Sequence, residues 1–165
     1  CGQIKSNYLV TLGTNDEFFA LGAANSMMKE MPGDKAFLAV DNLPHTAVSQ
    51  KHLAAWRMWL AHTFLKRPVP KIESKGVTEA DQLAVSAKVT APTQPVSVKL
   101  YYAYNHVTSD WRAAKWQSMP MDSTDGGYAA RLPIKGNQKL AYYVEVEDAG
   151  VGGAGYVSSL IEIVE

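Results

Sequence analysis

The chain has 165 residues, 47% of them hydrophobic, and its 16 basic and 16 acidic side chains cancel to a formal charge of zero. That is enough apolar material for one or two packed cores, and no basic run favours a nucleic-acid or anionic-membrane partner. No apolar stretch reaches the length of a transmembrane segment, and no signal-peptide pattern opens the chain.

Cys1 is the single cysteine, so no internal disulfide forms. A start at Cys1 without Met reads as a processed or excised end. The alternative makes Cys1 the lipid-bearing first residue of a lipoprotein.

Residues 8–13 are dominated by Leu, Val and Thr, the composition of a strand buried on both faces. Gly13 and Asn15 then provide turn chemistry. From about Ala20 to Met31 the sequence is rich in Ala, Leu and Met and reads as a helix, ended by Pro32-Gly-Asp34. Ala36–Val40 is a second short apolar strand. Ser49 is placed as the N-cap of a second helix. Leu53, Trp56, Leu60 and Phe64 recur at three- and four-residue spacing and predict its buried face, with His52 and His62 on or near the polar one. Pro68 and Pro70 stop that helix. Residues 1–67 thus read as βαβα, a piece of a larger parallel sheet, because two parallel strands cannot cover their own faces and edges.

Beyond Pro70 the pattern changes to short strand-like runs: Leu83–Thr90, Val96–Tyr104, Trp116–Met121, Tyr128–Leu132, Leu140–Asp148 and Tyr156–Val164. Turns at 125–127 and 150–155 punctuate them. The expected class is α/β plus all-β. Residues 1–68 would be the C-terminal βαβα piece of a larger α/β sheet, and residues 69–165 an immunoglobulin- or fibronectin III-like β-sandwich.

Two strand–turn units carry the candidate chemistry. Asp16 follows Gly13 by three residues, and His45 follows Val40 by five. Strand ends in open parallel sheets are where ligand sites lie. An acid followed in the chain by a histidine is the order of the last two members of a Ser–acid–His triad, the acid fixing the imidazole tautomer. Taken alone, Asp16 could merely cap the following helix, and Glu17 competes for its role, although the turn spacing favours Asp16. Metal ligation by the histidines and Asp16 lacks any tight His-x-x-x-His spacing, so neither metal nor cofactor is expected.

The nucleophile is missing, for no serine of this chain lies in a Gly-x-Ser-x-Gly context. In hydrolase order it would lie upstream of Asp16. Without nucleophile and oxyanion donors the pair has no acyl transfer to assist, so this polypeptide alone is expected to be inactive. Its partners would be the remainder of the hydrolase domain and a small ester or peptide substrate. The other reading is a non-catalytic binding or assembly module. In it Tyr101, Tyr102, Tyr104, Trp111 and Trp116 of the β region meet a protein or glycan, although alternation should bury about half of them.

The segments Gly13-Thr-Asn-Asp-Glu-Phe-Phe19, Met31-Pro-Gly-Asp-Lys35 and Asn42-Leu-Pro-His45 resemble the PhoPQ-activated pathogenicity-related proteins. So do Pro95–Leu100 and Gly127–Pro133 in the β region. The resemblance extends over nearly the whole chain but only over the C-terminal part of a family member. It implies an α/β-hydrolase-like fold, Asp16 and His45 as acid and base, and a periplasmic or secreted location. Ala20-Leu-Gly-Ala-Ala24 departs from the Pro-Asp-Ser-Ser often found there in relatives, which would change the mouth of a site.

Overall fold

A computed structural model of the protein describes residues 6–105, 110–150 and 154–164. Cys1 lies outside the described residues, as does the tip of the predicted turn at 150–155.

Two apolar strands, β1 (Tyr8–Gly13) and β2 (Lys35–Val40), run parallel in register from Tyr8 opposite Lys35 to Gly13 opposite Val40. The helix α1 (Leu21–Glu30) makes the crossover between them. Alternation along β2 then feeds two cores. Phe37 and Ala39 pack with Leu21, Ala24 and Met28 of α1, whereas Leu38 and Val40 pack with Ala55 of the second helix, α2 (Gln50–Leu65). The two helices therefore cover opposite faces of the sheet.

Helix α2 sits the other way round from the periodicity forecast. Leu53, Trp56, Leu60 and Phe64 are exposed, while His52, Ala55 and Trp59 are buried. Small Ala55 lets the helix approach β2 closely, and both inward histidines find polar partners. His52 Nδ1 accepts the N–H of Ser49 at 3.2 Å, and burial lowers its pKa. His62 bridges Asp34 (Nε2 to Oδ2, 2.5 Å) and the carbonyl of Arg67 (2.6 Å). A polar residue becomes compatible with a buried face once its bonds are met.

The β region contains β3 (Lys71–Glu79), β4 (Gln82–Thr90), β5 (Pro95–Asn105), β6 (Gln117–Pro120), β7 (Asp122–Thr124), β8 (Gly127–Pro133), β9 (Lys139–Asp148), β10 (Gly155–Ser158) and β11 (Glu162–Val164). The periodicity missed β3, whose outward residues are mostly charged, as suits an edge strand. It also missed the three-residue β7. The expected strand at 156–164 is instead two strands, and Asn25 of α1 binds the backbone of Ile161 between them.

One sheet runs β1-β2-β10-β9-β5-β6, with β11 also on β9; the other runs β3-β4-β8-β7. Strand β10 joins the two halves of the chain, pairing with β9 and meeting β2 at Ser158 opposite Phe37. The four-stranded sheet packs Leu83, Val85 and Leu132 against Val98, Leu100, Val144 and Val146 of the larger one, and Trp59 and Ala36 enter the same core. On the other face, Tyr101, Trp111, Trp116 and Tyr143 form an aromatic cluster beside α1. The protein is thus mostly β, built on two sheets. Among the described residues no helix is long and apolar enough to cross a membrane.

Candidate active site

Register alignment of Gly13 with Val40 brings the two carboxyl-end turns side by side. They are tied at once: the N–H of Thr14 donates to the Val40 carbonyl (2.9 Å), and that of Asn15 to the Leu43 carbonyl (3.1 Å). The approach is so close that a Cβ on Gly13 would lie 2.1 Å from Leu43 O. Glycine at this strand end is a steric requirement of the neighbouring turn.

Asp16 and His45 meet across this junction, with His45 Nδ1 2.8 Å from Asp16 Oδ2. The carboxylate is nearly buried, at 4% side-chain exposure, while the imidazole is 39% exposed. Asp16 Oδ1 accepts the amides of Phe18 and Phe19, each at 2.8 Å. The residue therefore both stabilises its own turn and binds the histidine. Burial works to raise its pKa, but the Phe19 amide, His45 and the Phe18 amide together outweigh it and hold the carboxyl below its ordinary value. Engaging Nδ1 leaves Nε2 as the nitrogen that could take or give a proton.

Glu17 takes a different place. Its Oε2 accepts the backbone N–H of His45 at 3.2 Å and has no bond to the ring. Of the two neighbouring acids, Asp16 alone contacts the imidazole. The rings of Phe18 and Phe19 flank His45, with centroids 5.1 and 5.3 Å away.

The far wall comes from the segment 110–116, and two asparagines hold it. Asn15 Nδ2 donates to the carbonyls of Arg112 (2.7 Å) and Ala114 (2.8 Å). Asn42 grips Trp116 twice, donating to its carbonyl (3.0 Å) and accepting its N–H (2.9 Å). Asn42 has φ 55°, a left-handed conformation that asparagine tolerates better than most residues, and its own N–H donates to Thr14 Oγ1 at 2.9 Å. In the sequence Asn15 reads as a turn former and Asn42 only as part of the Asn42-Leu-Pro-His45 segment. Their partners lie 74 to 99 residues away, beyond any local signal.

Between the walls is a cleft of about 480 Å³, lined by residues 14 and 16–21 on one side and 110–112 on the other. Arg112 is held on Asp110 by Nε at 2.7 Å and Nη2 at 2.5 Å. Among the described residues no group of three or more His, Cys, Asp or Glu is gathered as for a metal ion.

Beneath the turn lies a second charged cluster. Lys51 of α2 donates to both oxygens of Glu145 on β9 (2.8 and 3.0 Å), to Tyr101 Oη (2.9 Å) and to Asp41 (3.3 Å). Glu145 is on the face of β9 opposite Val144 and Val146, as alternation requires, yet it is buried there, and only the Lys51 side chain reaches it from α2.

No curated protein and no solved structure matches this chain. A family model described as PhoPQ-activated pathogenicity-related protein does, over residues 3–112, about two thirds of its length. The matched stretch contains Asp16, His45, both asparagines and Arg112, and the chain belongs to the PhoPQ-activated pathogenicity-related protein family.

Proposed function

We propose that this chain supplies the acid and the base of a serine hydrolase whose nucleophile lies on polypeptide upstream of residue 1. In this reading residues 1–68 are the C-terminal piece of an α/β-hydrolase-like sheet and residues 69–165 an immunoglobulin-like sandwich. The single observation that carries it is the 2.8 Å contact of His45 Nδ1 with the nearly buried Asp16 carboxylate at the ends of adjacent parallel strands. Asp16 would fix the tautomer that leaves Nε2 unprotonated and stabilise the imidazolium. His45 Nε2 would deprotonate the serine and return the proton to the leaving group. Among the described residues β1 pairs only with β2, and its other edge suits further strands bearing that serine.

The substrate would be a small ester or peptide. A periplasmic or secreted setting accompanies the family reading and is proposed with it. The 165-residue chain by itself should hydrolyse no ester above background. Joined to its upstream polypeptide it should be active, and His45→Ala should lower kcat/KM by about 10⁴-fold. Asp16→Asn should act on kcat to a similar extent, whereas Glu17→Gln should change it less than about tenfold. Full hydrolysis by the His45→Ala protein would end this reading.

A further inference from the structure

The cleft beside His45 has a composition that selects among substrates. Phe18 and Phe19 are 71% and 56% exposed although each ring touches the imidazole. Two adjacent large apolar side chains are thus left in water beside a polar site, each forgoing the stabilisation of burial. The turn that displays them is fixed by their own backbone amides on Asp16 Oδ1, so the rings are held out by the same carboxylate that orients His45. Trp111, buried at 4% exposure, closes the opposite wall.

The charges point the same way. Three carboxylates line the cleft, Asp16, Glu17 and Asp110, against the single guanidinium of Arg112. That guanidinium is already forked onto Asp110. An anionic substrate group would meet a surplus of negative charge and no uncommitted cation among the lining residues.

We propose that Phe18 and Phe19 form a subsite for an uncharged aryl or alkyl group next to the bond attacked, and that Glu17 turns away acidic groups at its edge. The substrate class is then a neutral apolar ester or amide, such as a medium-chain acyl ester or a peptide with an aromatic or aliphatic residue at the scissile bond. The proposal rests on the reading of His45 as the base, but its test needs no turnover.

The 165-residue chain is titrated with 4-phenylbutanamide and, separately, with its anionic counterpart 4-phenylbutyrate, following the His45 imidazole and aromatic-ring NMR signals. The amide should shift the His45 and Phe signals and bind at least about fivefold more tightly than the carboxylate at low salt. The double variant Phe18→Ala/Phe19→Ala should weaken amide binding about tenfold. Its Asp16 bonds go to backbone amides, so persistence of the His45 Nδ1 proton resonance reports an intact turn; should the double variant not fold, Phe18→Ser alone serves in its place. Glu17→Gln should narrow the gap between the two probes. Equal binding of both probes, undiminished binding by the ring-deleted variant, or unmoved His45 signals up to the amide's solubility limit would overturn the proposal. Each of these outcomes is independent of whether His45→Ala abolishes hydrolysis in the longer polypeptide, so the subsite and the base can fail separately.

Discussion

Lys51 Nζ on α2 lies 2.8 Å from Glu145 Oε2 on β9, a partly buried charge pair joining the helix that follows His45 to the centre of the larger sheet. Burial would lower the pKa of the ammonium, but the glutamate's charge prevails and holds it well above its ordinary value. Lys51 therefore stays charged. Removing it leaves a carboxylate that is only 3% exposed without its counter-ion, the Tyr101 hydroxyl (3.1 Å) remaining as a donor. Lys51→Met should cost about 3 kcal/mol, and adding Glu145→Leu should recover a large part of that loss. Urea unfolding of the two single variants and the double variant closes the cycle. Simple additivity of the three values would show that the pair is not coupled.

Acid stability should report on Asp16. Its folded pKa lies below the ordinary 3.8, so the unfolded chain binds the proton more readily as pH falls. The stabilisation is complete above the unfolded value and is lost as pH descends through the folded one. The difference in unfolding free energy between the wild-type chain and Asp16→Asn should therefore be level at neutral pH and shrink below about pH 4. A difference that grew on acidification would contradict the sign.

Gly13→Ala tests the tie between the two turns. The added methyl would stand 2.1 Å from the Leu43 carbonyl oxygen, which is backbone and cannot rotate away. The loop that bears His45 must then move, at a cost of about 2–4 kcal/mol. Thermal unfolding should register the loss, and the His45 Nδ1 proton resonance should shift. A variant with unchanged midpoint and unchanged resonance would mean that the turns are not tied as described.

The two faces of α2 should answer differently to truncation. Trp59 is 7% exposed, and Trp59→Ala should cost about 3–4 kcal/mol. Phe64 and Leu60 are 74% and 57% exposed, and Phe64→Ser or Leu60→Ser should change the stability of this chain by less than about 0.5 kcal/mol. The reverse ranking in chemical denaturation would restore the orientation expected from periodicity.

That orientation shows where a periodicity argument stops. The stripe Leu53, Trp56, Leu60, Phe64 is the more hydrophobic side of α2, so the sequence points it inward. The sheet instead takes the side with Ala55, because a small residue permits close packing on Leu38 and Val40 while Ser49, Asp34 and Arg67 satisfy the histidines around it. A helix is placed by shape and bond satisfaction together, and a one-dimensional pattern records only hydrophobicity. Glu145 teaches the same lesson, since its polar identity says nothing about the lysine that reaches it from 94 residues away.

What the sequence by itself determined is local. The apolar runs ending at Gly13 and Val40, and the acid and histidine a few residues beyond, follow from strand composition and turn chemistry that act over a few neighbouring residues. Parallel pairing then makes those two ends adjacent. Turn spacing also favours Asp16 over Glu17. Only the tertiary structure decided that Asn15 and Asn42 clamp the 110–116 wall, that β10 stitches β2 to β9, and which side of α2 faces the sheet. The physical reason is range: turn and strand preferences are set by neighbouring residues, whereas the asparagine clamps and the hydrogen bond that ties β10 to β2 join residues 74 to 119 positions apart, whose meeting depends on packing of the whole chain.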